Sequence, residues 1–117
     1  VKSDFSVEEQ NLGTATVVVA NGELDLRTSP ELEECLERVF VTDATLVILD
    51  LRQIEFMDST GLRVLLSAHQ RAHDTGKRFG LVRGAEQVER VLRLTGVREL
   101  LTVVDAPEEL LSAGEGV

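Results

Sequence analysis

Leu46-Val47-Ile48-Leu49-Asp50-Leu51 is apolar at every position but one. A strand with one face in water alternates apolar and polar residues, and this run does not. It reads as a strand covered on both faces, the situation of parallel sheets with helices above and below. Parallel neighbours cannot be joined by tight hairpins, so a chain built on such a strand must also supply crossover helices. At 117 residues it has the length of a single domain with one real core.

The flanking sequence supplies the partners. Phe5 and Val7 alternate with polar neighbours, predicting a short edge strand that ends near Asn11-Leu12-Gly13. Thr14 to Leu24 is β-rich around Val17-Val18-Val19, and Asn21-Gly22 makes either a bend or a bulge in it. Ser29-Pro30 opens a helix, with a hydroxyl at the N-cap, proline in the first turn and acids next. Leu32, Cys35, Leu36, Val39 and Phe40 form its apolar stripe, while Glu33, Glu34 and Glu37 lie on the solvated face. After the central strand, Leu62, Leu65, Leu66, His69 and Ala72 or His73 recur at helical spacing, up to Thr75-Gly76.

Phe79 to Val82 reads as a strand, and Val88, Val91 and Leu92 mark a helix stopped by Thr95-Gly96. Leu100 to Val104 reads as a last strand, and Ala106-Pro107 opens a final short helix. Residues 1–4 and 112–117 are expected to be flexible ends. The order is β-β-α-β-α-β-α-β-α. That is an α/β fold with a mixed, mostly parallel sheet of about five strands and about four helices.

Twelve Lys plus Arg against 21 Asp plus Glu give a formal charge of −9, and Phe is the only aromatic. Such a field repels a phosphate backbone, and there are no stacking platforms for single strands. Direct nucleic-acid binding is disfavoured, and a basic protein partner is favoured. The lone Cys35 excludes an intrachain disulfide and a multi-cysteine zinc site, and on an apolar stripe it reads as a small buried hydrophobe. No apolar run approaches the roughly 20 residues that cross a bilayer, and no signal-peptide pattern is present. No membrane association is expected, and the expected location is cytoplasmic.

In parallel sheets the loops after the strands' carboxyl ends share one edge, where ligands bind. That rule brings together Leu24-Asp25, Met57-Asp58-Ser59-Thr60 and Arg83-Gly84. Ser59 has two readings. Either Asp58 or Ser59 caps the helix that follows, or Ser59 is reversibly phosphorylated. A doubly charged phosphate roughly 6 Å from one carboxylate, at an effective dielectric near 40, is opposed by about 3 kcal/mol. Half of that changes a partner's affinity about tenfold. Asp25 is a turn or cap residue or part of a recognition surface, and Arg83 is a surface cation or a counter-charge for modified Ser59. His69 and His73 stand one turn apart without a third ligand at a recognisable spacing, so no metal is expected. A serine hydrolase would need a histidine near Ser59, and both histidines lie two or more turns along the same helix. No catalytic residue and no cofactor are expected.

Gly22-Glu23-Leu24-Asp25, the strand Leu46 to Leu51 and Phe56-Met57-Asp58-Ser59-Thr60-Gly61-Leu62 together resemble the bacterial anti-sigma factor antagonists, which are single STAS domains. Thr95-Gly96-Val97 and the segments after it fit as well, so the resemblance covers about residues 5 to 111. It implies the STAS fold, and phosphorylation of Ser59 by a cognate anti-sigma factor that is an ATP-dependent serine kinase. The unmodified form binds that kinase and frees the sigma factor; the phosphorylated form lets go, and a separate serine phosphatase resets it. ATP belongs to the partner, so the chain is substrate and ligand rather than enzyme. Asp25, Asp58, Ser59, Thr60 and Gly61 map onto the partner-binding edge. The alternative is a non-switching STAS subunit of a larger assembly, such as a stressosome-like scaffold or a lipid-transport complex.

Overall fold

The computed structural model describes residues 4–115. The elements are β1 (Ser6–Leu12), β2 (Ala15–Leu24), α1 (Ser29–Phe40), β3 (Leu46–Met57), α2 (Ser59–Thr75), β4 (Arg78–Val82), α3 (Glu86–Leu94), a 3-10 turn (Val97–Glu99), β5 (Val103–Val104) and α4 (Pro107–Glu115). One sheet holds all five strands in the order β1-β2-β3-β4-β5. β1 runs antiparallel to β2, and β2 to β5 are mutually parallel. The α/β architecture is the one the alternation of strand and helix signals requires.

Covering β3 from both sides is what the central hexapeptide demands, and the helices do it. Leu49, Leu51, Ile54 and Met57 join Val18, Leu36, Val39, Val64, Leu65 and Val88 in the larger core, beneath α1, α2 and α3. Ile48 points the other way, into a smaller core with Val17, Val82 and Leu110 of α4. Leu49 and Ile48 are both fully buried. Asn21-Gly22 makes a bulge rather than a bend, since β2 continues to Leu24 while its register against β3 shifts on either side of these residues.

Four local expectations are corrected. The N-cap of α1 is Thr28, not Ser29; Ser29 lies inside the first turn, buried, with no partner for its hydroxyl. The buried face of α2 is Gly61, Val64, Leu65, Ala68 and Ala72, whereas Leu62, Leu66 and His69 are only half-buried and His73 is exposed. Gly61 seats the helix on the strand ends, and that contact sets its rotation. The expected strand from Leu100 is reduced to Val103-Val104, because the 3-10 turn occupies 97–99 and β4 offers only Leu81 and Val82 for pairing. β3 is 12 residues long and runs well past its hexapeptide. Of the expected flexible ends, 1–3 and 116–117 lie outside the described residues, and the backbone of 112–115 continues α4.

Candidate functional site

β2 and β3 end side by side: Leu24 pairs with Met57, and the Asp58 amide donates to the Leu24 carbonyl at 3.2 Å. Asp58 keeps an extended backbone while the chain after it turns helical, so it is the N-cap of α2. Its Oδ1 accepts from the amides of Thr60 at 2.8 Å and Gly61 at 3.2 Å. Ser59 follows as the first residue of the helix, exposed to solvent, and its hydroxyl is hydrogen-bonded to no other described residue. Of the two possible caps, the carboxylate does the work. The serine oxygen is left free.

Gly61 permits this arrangement. A Cβ there would lie 2.7 Å from Cγ of Met57 and 2.8 Å from Cγ of Leu24, both in the packed core. Thr60, between the exposed serine and the buried glycine, is half-buried. Asp25 sits in the turn after β2, also half-buried. Its Oδ1 accepts from the amides of Arg27 at 3.0 Å and Thr28 at 3.2 Å. The Thr28 hydroxyl accepts from the Asp25 amide at 2.9 Å and donates to the Glu23 carbonyl at 2.7 Å. Asp25 is thus a turn residue at least, and the turn is heavily tied.

The third loop does not arrive. Val82, the last residue of β4, pairs with Asp50, so Arg83 stands level with Leu51, seven positions before Asp58. Arg83 is also engaged elsewhere, its Nε 2.6 Å from Asp105 and its Nη1 3.7 Å from Glu89. The edge rule assumes strands of matched length, and β3 outruns β4.

One residue at the junction carries no sequence signal. Gln87, in the first turn of α3, accepts from the Met57 amide at 2.9 Å and donates to the Met57 carbonyl at 3.0 Å. Beyond Asp50, β3 has no β4 residue beside it, and the glutamine amide stands in for a strand at the residue before Asp58. A glutamine in the first turn of a helix reads as one more solvated side chain, which is why it passes unnoticed.

Around the junction, Glu23, Asp25, Glu55 and Asp58 are four carboxylates, and Arg27 is the only cation in 22–28 and 55–61. Elsewhere the chemistry is quiet. Among the described residues no group of three His, Cys, Asp or Glu side chains has metal-holding geometry, and no helix is long and apolar enough to cross a membrane. Cys35 is buried, with its sulfur 3.5 Å from Oε2 of Glu9. Burial first, and then the hydrogen bond to Glu9, push the thiol up to about 11.

A STAS domain family model matches residues 6–110. The anti-sigma-B factor antagonist of Listeria monocytogenes is 26% identical over 106 residues, which cover 91% of this chain and 92% of that protein. Among solved structures, an anti-sigma factor antagonist from Mycobacterium paratuberculosis has a TM-score of 0.86 at 24% identity, covering 94% of this chain and 93% of its own. The Bacillus cell fate determinant SpoIIAA in its phosphorylated form has a TM-score of 0.70 at 18% identity, covering 92% and 98%. These two structures share the fold.

Proposed function

Because the chain belongs to the STAS domain family, we propose that it is an anti-sigma factor antagonist switched by phosphorylation of Ser59. In this reading the unmodified form binds a cognate anti-sigma factor, a serine kinase that carries the ATP, and frees the sigma factor. Phosphorylation releases the partner, and a serine phosphatase restores the active form. The exchange takes place in the cytoplasm. The chain is the kinase's substrate and ligand, and Asp25, Asp58, Ser59, Thr60 and Gly61 form the surface it presents.

The observation that carries this reading is the separation of roles at the start of α2. Asp58 satisfies the helix amides, so the Ser59 hydroxyl is exposed and owes nothing to the fold. A phosphate there adds about −1.5 to −2 charges at a helix N-terminus, where the helix dipole favours negative charge. The domain therefore tolerates it. The same charge is added next to Asp58 on an edge whose two segments, 22–28 and 55–61, already hold four carboxylates, so the surface offered to a partner changes strongly while the core does not.

The test is incubation with the anti-sigma factor kinase and ATP, phosphosite mass spectrometry, and binding of two variants. The label is expected on Ser59. Ser59→Ala should hold the partner constitutively, and Ser59→Asp should bind at least about tenfold more weakly. Label on another residue, or equal binding by Ser59→Asp and the unmodified chain, sinks the switch. A partner retained in every form would point to a permanent subunit of a larger assembly.

A further inference from the structure

Leu26 is 72% exposed, at the tip of the turn between β2 and α1. An isolated surface leucine needs no explanation, but this one stands on an unusually fixed backbone. On one side of it the Asp25 amide is held by the Thr28 hydroxyl at 2.9 Å, and the Asp25 carbonyl takes the Ser29 amide at 2.8 Å. On the other side the amides of Arg27 and Thr28 are held by Asp25 Oδ1. The Thr28 hydroxyl closes the turn onto the Glu23 carbonyl. The turn is anchored beside the phosphosite, because Leu24, its last strand residue, receives the Asp58 amide. Phe56, paired with Glu23 across the two strands, is a second exposed apolar side chain on the same edge, at 40%.

We infer that Leu26 is an apolar anchor for the protein partner, inserted into a hydrophobic socket that is rimmed by basic side chains. The inference rests on the proposed function and names the chemistry of the surface that the antagonist recognises. The rim follows from charge: the segments that carry Leu26 and Phe56, residues 22–28 and 55–61, hold Glu23, Asp25, Glu55 and Asp58 against the single cation Arg27. The socket follows from exposure on a fixed scaffold. A leucine already held outward loses little backbone freedom on docking, so most of its transfer from water is kept as affinity. It also gives the phosphoserine a mechanism that needs no shape change. The phosphate acts at short range: its bulk and tightly held water keep the socket from closing over Leu26, since its charge alone would be drawn to a basic rim.

The experiment uses the unmodified chain and the purified anti-sigma factor kinase as probe, with ADP in place of ATP so that no phosphate is transferred, read by titration calorimetry. Adding Leu26→Ala or Leu26→Ser should weaken binding about tenfold or more, with an unchanged melting temperature. Leu94, 76% exposed at the far end of α3, is the control, and Leu94→Ala should bind like its parent. Tight binding by the unmodified chain with no loss in either Leu26 variant overturns the anchor and leaves the proposed function standing. No binding by the unmodified chain itself removes the proposed function, and the anchor with it.

Discussion

At the scale of single residues, the decisive fact is which of two adjacent side chains caps α2. Both Asp and Ser are good N-caps, so the pair Asp58-Ser59 is ambiguous as written. Only the backbone resolves it: Asp58 is extended and Ser59 already helical, so only the aspartate can reach back to the amides of Thr60 and Gly61. Asp58→Ala should cost about 1 kcal/mol of stability by loss of the cap, whereas Ser59→Ala should stay within about 0.5 kcal/mol. Urea denaturation of both variants checks this, and equal losses would return the cap to the serine. Cys35 illustrates the opposite case, fully legible as a buried hydrophobe from its place on the α1 stripe. Its thiol is raised from 9.0 to about 11 by burial and by Glu9, so the folded state holds its proton more tightly than the unfolded chain. Above pH 9 the unfolded state ionises first, and stability must therefore fall with rising pH up to about 11. Denaturation midpoints across that window should decline in the parent more steeply than in Cys35→Ala.

Among the elements, what the sequence conveys is their type and order, and what it hides is where they stop relative to one another. Leu46 to Leu51 identifies β3 because both faces are buried there. Its continuation is harder to see, since Ile54 and Met57 stand three apart, across a register shift, and break the period of two. The overhang of β3 past Val82 then leaves Met57 without a β4 neighbour, carries the site away from Arg83 and recruits Gln87. None of this can be inferred from local composition, because it depends on the difference in length between two strands. Gln87→Ala removes both bonds to Met57 and should cost about 1–3 kcal/mol, at roughly 0.5–1.5 kcal/mol per bond. Amide exchange measured by mass spectrometry should accelerate at 57–61 before it does in β2. Uniform acceleration across the sheet would mean that the glutamine contributes general stability and does not hold the junction.

For the molecule as a whole, the formal charge of −9 and the apolar anchor make separable contributions to binding. Long-range attraction between an acidic domain and a basic partner acts on the encounter and is screened by salt, whereas a desolvated apolar contact acts after docking and is not. Raising ionic strength from about 0.1 M to about 1 M shortens the screening length from roughly 10 Å to roughly 3 Å. The association rate of the Ser59→Ala chain with the anti-sigma factor should therefore fall by about tenfold or more over that range, with the dissociation rate nearly constant. Leu26→Ala should do the reverse, raising the dissociation rate and leaving the salt dependence of association unchanged. Stopped-flow traces at several salt concentrations separate the two effects. An association rate indifferent to salt would show that the carboxylates around Ser59 do not steer the partner. Added negative charge speeds the approach to a basic partner and does not slow it, so in either case release by phosphorylation acts on the docked contact, through the bulk and hydration of the phosphate.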